Sequence, residues 1–123
     1  VSIGDHNADG EPDLLWRSGS SGNLYVCYGI ADSGGGSTIA SLSTAAGSLT
    51  GVDTTYAIGW TETAKPTLHF YGTPDVTGDG IPDIWALNSD GSVDVYTGGS
   101  ASIGTTAKVI SANATWFTKL ALG

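Results

Sequence analysis

Two stretches of the chain carry the same order of polar and apolar positions. In each, an acidic nonapeptide leads into a short apolar run, residues 14–16 or 84–87, then a turn of Ser, Gly, Asp and Asn, then an alternating run, residues 24–28 or 93–97. Short apolar runs with period-two alternation, bounded by such turns, predict a loop, a strand, a hairpin turn and a second strand. TLHFYG at 67–72 and TKLALG at 118–123 each predict a further strand ending in glycine, and VSIG at 1–4 has the same form. Residues 30–58, rich in Gly, Ser, Thr and Ala, lengthen the first copy. Within them, STIASLSTAAGSLTG has a weak helical pattern, but its β-branched residues, glycines and turn signals favour further strand and loop.

Setting Asp5 against Asp75 aligns DHNADGEPDLLWRSGSSGNLYVCYG with DVTGDGIPDIWALNSDGSVDVYTG, with one residue inserted in the first turn. Asp13 then matches Asp83, Gly22 matches Gly91, and Gly29 matches Gly98. The repeat divides the single module 1–123 into a trailing strand of a preceding unit at 1–4, a first blade-like repeat at 5–72 and a second at 73–123. Short strands at this spacing predict an all-β fold of about two tandem four-stranded, β-propeller-like blades. Two such units cannot close a ring, since each buries its faces against neighbours on both sides. The expected partners are therefore copies of the same chain, in a ring or head-to-tail polymer, or neighbouring blades of a longer chain.

The formal charge of −8 is local: seven of the twelve acidic residues fall in the two nonapeptides. Arg17, Lys65, Lys108 and Lys119 are scattered singly, which leaves no footprint for nucleic acid or an anionic lipid surface. The apolar runs are too short for membrane insertion and no secretory leader opens the chain, so a secreted protein would be represented here in mature or excised form. Cys27 stands alone, so neither an internal disulfide nor a cysteine metal site is available.

Carboxylates at positions 1, 5 and 9 of each nonapeptide repel one another unless a cation lies among them. Calcium, which takes 6 to 8 oxygens in a forgiving geometry, fits better than magnesium, which demands a tight octahedron. The expected ligands of a first Ca²⁺ are Asp5, Asn7, Asp9 and Asp13, with the carbonyl of Glu11. Those of a second are Asp75, Thr77, Asp79 and Asp83, with the carbonyl of Ile81. Gly10 and Gly80 stand where the chain must bend sharply, and Pro12 and Pro82 stiffen the exit into the strand. The opening D-x-[DN]-x-[DN]-G is shared with the helical calcium loop, whose twelfth position requires a bidentate glutamate. Here that position holds Trp16 or Ala86, and the flanks lack helical periodicity, which also argues against a dockerin.

With the ninth-position aspartate, the following LLW or IWA strand and the tandem copies, both loops resemble the calcium-binding blades of the FG-GAP/VCBS-type repeat family. The resemblance covers about 50 residues. It implies propeller blades with calcium in the loop entering each blade. It also implies a secreted, extracellular or cell-surface setting, where such modules bind glycans or proteins or accompany secreted enzymes. Thr77 replaces the commoner Asn or Asp of that family.

Outside the loops, Trp16, Trp60, Trp85 and Trp116 are candidates for core packing or for sugar stacking, as are Tyr25, Tyr28, Tyr71 and Tyr96. Trp60 and Trp116, each preceding a closing strand, are the better candidates for a ligand-binding rim. His6 and His69 belong to no repeated constellation, Cys27 aligns with Tyr96 as a packed strand position, and GSSG at 19–22 lacks the spacing of a nucleophile elbow. Asn113-Ala-Thr115 is a glycosylation sequon, meaningful in a eukaryotic source. No acid/base pair stands outside the loops, so a non-catalytic module is expected. The functional expectation is a calcium-stabilised structural or adhesion module that self-assembles through incomplete blade edges. A glycan-binding lectin and an accessory fragment of a secreted hydrolase are the alternatives.

Overall fold

The structure, a computed structural model, describes residues 1–38, 53–61, 63–65 and 67–115. Eight strands form: β1 (Ser2–Gly4), β2 (Asp13–Arg17), β3 (Leu24–Cys27), β4 (Asp53–Ala57), β5 (Thr67–Thr73), β6 (Asp83–Asn88), β7 (Val93–Tyr96) and β8 (Thr106–Ile110). They build two four-stranded antiparallel sheets in the orders β1-β2-β3-β4 and β5-β6-β7-β8, and neither closes into a barrel. No helix occurs among the described residues.

The two sheets divide the chain one strand earlier than the sequence repeat does. Strand β1 pairs with β2 and so opens the first sheet, where the sequence assigned residues 1–4 to a preceding unit. Likewise β5 pairs with β6 and opens the second sheet, where residues 67–72 were assigned to the end of the first repeat. The cause is the ladder itself: the acidic loop is the connection between the first and second strands of a sheet, and antiparallel pairing across it recruits the strand before the loop. The fourth strands, β4 and β8, were not singled out in the sequence. The strand expected at 118–123 and most of the 37–51 stretch lie outside the described residues.

Side-chain alternation along β2 and β3 sends Leu15, Leu24 and Val26 to one face and Trp16 and Tyr25 to the other. The first set joins Ile3, Tyr56 and Trp60 of the same sheet region and Ile84, Ala86 and Tyr96 of the second sheet in one core. Leu15, Leu24 and Ile84 are fully buried, and each contributes roughly 1.5–3 kcal/mol through the apolar surface it removes from water. Trp16 and Tyr25 are direct cross-strand partners, stacked at 4.4 Å between centroids and half-buried on the opposite face.

The pairing of faces is heterologous. By the repeat alignment Leu15, Leu24 and Val26 correspond to Trp85, Val93 and Val95, yet the second sheet meets the first through the other face, with Ile84, Ala86 and Tyr96. The counterparts of those residues in the first sheet are Leu14, Trp16 and Cys27, on the face directed away from the second sheet. Two successive sheets are thus stacked in the same sense and not face to like face.

Candidate functional site

Both acidic loops fold around their first aspartate. In the first, Asp5 accepts the amides of Asp9 at 3.1 Å and Gly10 at 2.8 Å. In the second, Asp75 accepts those of Gly78 at 2.6 Å, Asp79 at 3.2 Å and Gly80 at 2.7 Å, with the Thr77 hydroxyl at 3.3 Å. The Gly80 amide is the strongest of the groups holding the Asp75 carboxyl below its usual range, joined by those of Gly78 and Asp79 and by the Thr77 hydroxyl. The fifth-position aspartates act alike: Asp9 Oδ1 accepts the Glu11 amide and Asp79 Oδ1 the Ile81 amide, both at 2.9 Å. Gly10 and Gly80 adopt φ of 94° and 89°, the left-handed bend expected there.

The ninth-position aspartates do something the sequence did not announce. Asp13 and Asp83 are fully buried. Asp13 Oδ2 accepts the His6 amide at 2.7 Å and Oδ1 the Gly29 amide at 2.9 Å. Asp83 Oδ2 accepts the amides of Val76 at 2.8 Å and Thr77 at 3.0 Å, and Oδ1 that of Gly98 at 2.9 Å. Each carboxylate therefore ties the start of its loop to the glycine that follows the hairpin. Burial pushes the Asp13 carboxyl up, against the pull of the Gly29 and His6 amides, while Asp9 and Asp5 add to the rise.

The repeated glycines make this tie possible. A side chain on Gly29 would meet the Pro12 carbonyl oxygen at 2.6 Å, and one on Gly98 would collide with that of Pro82. Pro12, Asp13 and Gly29, and likewise Pro82, Asp83 and Gly98, are thus one geometric unit, present twice. The matching Gly positions were visible in the alignment; their reason was not.

The loops differ in how far their carboxylates converge. Oxygens of Asp75, Asp79 and Asp83 all lie within 4.8 Å of one another, and among the described residues no other acidic group closes to that extent. The Thr77 hydroxyl is 3.3 Å from an Asp75 oxygen and 3.5 Å from an Asp83 oxygen, which places it within the same oxygen cluster. In the first loop Asn7 instead bridges to Asp9, donating Nδ2 to Oδ2 at 2.8 Å and accepting the Asp9 amide at 3.2 Å. The Glu11 carboxylate accepts the Ser37 hydroxyl. A cluster of three carboxylates and a hydroxyl, without nitrogen or sulfur donors, suits a hard cation.

Of the aromatic candidates, Trp60 is 3% exposed, packed against Phe70 and Tyr96 at 5.2 and 4.9 Å between centroids, with the Lys65 ammonium 5.4 Å from its ring centre. It fills the core between the sheets, the first of the two roles the sequence offered for it, and not a ligand-binding rim; the heterologous stacking brings the second sheet over it. Trp116 lies outside the described residues. His6 is fully buried and edge-on to Tyr56, and among the described residues neither of its ring nitrogens has a partner in good hydrogen-bond geometry. Burial lowers its pKa, opposed by the Ile3 carbonyl and by the charges of Asp83 and Asp5.

No family model, curated protein or solved structure matches this chain.

Proposed function

We propose that the chain is a non-catalytic structural module whose two acidic loops each hold a Ca²⁺ ion, and that it works by stacking with further sheets of the same kind. The observation that carries the reading is the convergence of Asp75, Asp79 and Asp83 within 4.8 Å, with the Thr77 hydroxyl beside Asp75 and Asp83. Bound there, an ion would neutralise three carboxylates that otherwise repel one another. Asp75, Thr77, Asp79 and Asp83 would hold it, with the carbonyl of Ile81. The first loop repeats the three aspartates as Asp5, Asp9 and Asp13, with Asn7 in the place of Thr77 and the carbonyl of Glu11 in the place of that of Ile81.

Calcium is the preferred occupant because the donors are all oxygen and the loop backbone is bent by glycine without a rigid octahedral frame. Sites of this kind fill where free calcium is abundant, which favours an extracellular or cell-surface setting. The resemblance to FG-GAP/VCBS-type blades belongs to the same reading. It is supported by four antiparallel strands per unit, the loop between the first and second strands, and the like-sense stacking of the two sheets. Stacking in one sense leaves Leu14, Trp16 and Tyr25 on a face whose counterpart in the second sheet is covered by a neighbouring sheet. A further copy or a further blade is the natural occupant of that face. The lectin alternative loses its best-placed residue, since Trp60 is buried.

The test is equilibrium dialysis of the whole chain with ⁴⁵Ca²⁺ at millimolar concentration, with and without excess Mg²⁺, alongside sedimentation equilibrium. Two bound ions that Mg²⁺ fails to displace are expected, with a mass above that of one chain. Fewer than one ion per chain would remove the reading's basis.

A further inference from the structure

The two loops are not independent neighbours. The position of a side chain on Gly4, immediately before the first loop, lies 2.8 Å from Cγ of Pro82, at the end of the second. The end of β1, which leads into the first loop, is therefore packed against the end of the second. A second connection runs through the interior. Asp13 holds the His6 amide at 2.7 Å. The buried His6 ring meets the Tyr56 ring edge-on, at 5.9 Å between centroids and 72° between planes. The Tyr56 hydroxyl accepts the Gly99 amide at 3.0 Å, and the adjoining Gly98 amide is held by Asp83 at 2.9 Å.

Tyr56 belongs to the first sheet and Gly98–Gly99 to the second, so one phenol joins the latch of one loop to the latch of the other. Every side chain in this series, Asp13, His6, Tyr56 and Asp83, is at most 2% exposed. Movement of the first loop that displaces His6 must be taken up by Tyr56, and movement of Tyr56 strains or releases the Gly98–Gly99 segment that Asp83 holds. Packed groups of this kind have few alternative arrangements, so displacement is transmitted and not absorbed.

We propose that the two acidic loops are conformationally coupled through Tyr56, so that fixing either loop tightens the other. With the loops taken as calcium sites, a premise that rests on the function proposed above, the coupling makes the two ions bind with positive cooperativity. Coupling of the usual size for such linked sites is about 5-fold or more in affinity or opening equilibrium. Tyr56 is a positioning residue: it reaches the loops only through His6 and the Gly98–Gly99 backbone.

The experiment has two arms, both on the whole chain. In EDTA, amide hydrogen exchange is followed by NMR at Gly78 and Gly80, whose amides bind Asp75, with Val95 as a reporter of global unfolding. Asp5→Asn, which loosens the first loop alone, is expected to speed exchange at Gly78 and Gly80 about 5-fold beyond any change at Val95. In a Tyr56→Phe background, which keeps the ring and loses the hydroxyl, the same substitution is expected to leave those rates unchanged. If Asp5→Asn leaves Gly78 and Gly80 unaffected in the parent chain, or has equal effect with and without the Tyr56 hydroxyl, the coupling is overturned. The second arm is a calorimetric Ca²⁺ titration of parent and Tyr56→Phe chains. Cooperative uptake in the parent and independent uptake in the variant support the proposal; independent uptake in the parent refutes its ion-binding form. Absence of any Ca²⁺ uptake refutes the calcium reading, and the EDTA arm then still decides whether the loops are coupled.

Discussion

The amide of Gly98 donates to Oδ1 of Asp83 at 2.9 Å, fifteen residues back along the chain, and the Pro82 carbonyl fills the space where a side chain on Gly98 would stand. The first sheet has the same relation between Gly29 and Asp13, with more room: the corresponding contact to the Pro12 carbonyl is 2.6 Å. Gly98→Ala must separate the hairpin from the loop, stretching the Asp83 bond while it relieves the collision. We expect a loss of about 3 kcal/mol or more for Gly98→Ala and a smaller loss for Gly29→Ala, read from urea denaturation. Equal and negligible effects would show that the hairpin end is free to move away.

The fourth position of the two loops offers a second comparison. Ala8 and Gly78 occupy equivalent places and share the left-handed backbone, with φ of 60° and 82°. For an L-residue that conformation costs roughly 1–2 kcal/mol, and glycine escapes it at some cost in chain entropy. Ala8→Gly is therefore expected to stabilise the protein by about 0.5–1 kcal/mol, and Gly78→Ala to destabilise it by about as much. Thermal melts of the two single variants and of the exchange double variant check the sign.

Short apolar runs made β2 and β6 legible and alternation made β3 and β7 legible, each bounded by Gly and Ser turns. β4 and β8 escaped because DTTYA and TAKVI lack a full apolar face, and their strand character comes from pairing with β3 and β7. That pairing is a tertiary fact. The loop carboxylates were legible by type and spacing, and their grouping in the second loop follows the expected 1-5-9 pattern. The burial of Asp13 and Asp83 was not, since nothing local distinguishes an exposed ninth-position aspartate from one that holds a glycine amide far along the chain. The sequence left Trp60 between core and rim for a related reason: its position gave proximity to a closing strand but not the sheet that covers it.

Tyr56 gives the protein a predicted sensitivity to alkali. Burial is the main cause that pushes its phenol up to about 12, with the nearby Tyr28 and Asp83 adding to the rise and the Gly99 amide opposing it. An unfolded tyrosine releases its proton near pH 10. Between pH 10 and 12 the folded state thus binds more protons than the unfolded one, and stability must fall as pH rises through that window. Below pH 10 the contribution is complete. The loss across the window is on the order of 3 kcal/mol. Tyr56→Phe should flatten the slope between pH 10 and 12 while costing about 1 kcal/mol at pH 7, where the Gly99 amide loses its acceptor. Denaturation at several pH values, with phenolate absorbance near 295 nm as a second readout, would contradict the assignment if parent and variant lost stability in parallel.

Asp79 and Asp83 share the second loop but do different work, and melting in calcium and in EDTA separates them. Asp79 is exposed and its carboxylate holds one amide, that of Ile81. Asp83 is buried and holds three, those of Val76, Thr77 and Gly98. If the loop binds Ca²⁺, saturating ion stabilises the native chain by about 2.7 kcal/mol at a hundred times the dissociation constant, because the ion binds the folded form alone. For a chain of this size that corresponds to a rise in Tm of roughly 8 °C or more per site, all of it reversed by EDTA. Asp79→Asn should leave the Tm in EDTA within about 2 °C of the parent and remove the greater part of this site's calcium-dependent rise. Asp83→Ala should lower Tm in EDTA as well, since the buried Gly98 amide left without an acceptor costs about 1–3 kcal/mol. Equal losses for the two variants in EDTA would show that Asp83 is no latch. An EDTA-insensitive parent would show that the loops are acidic turns held by their own backbone amides.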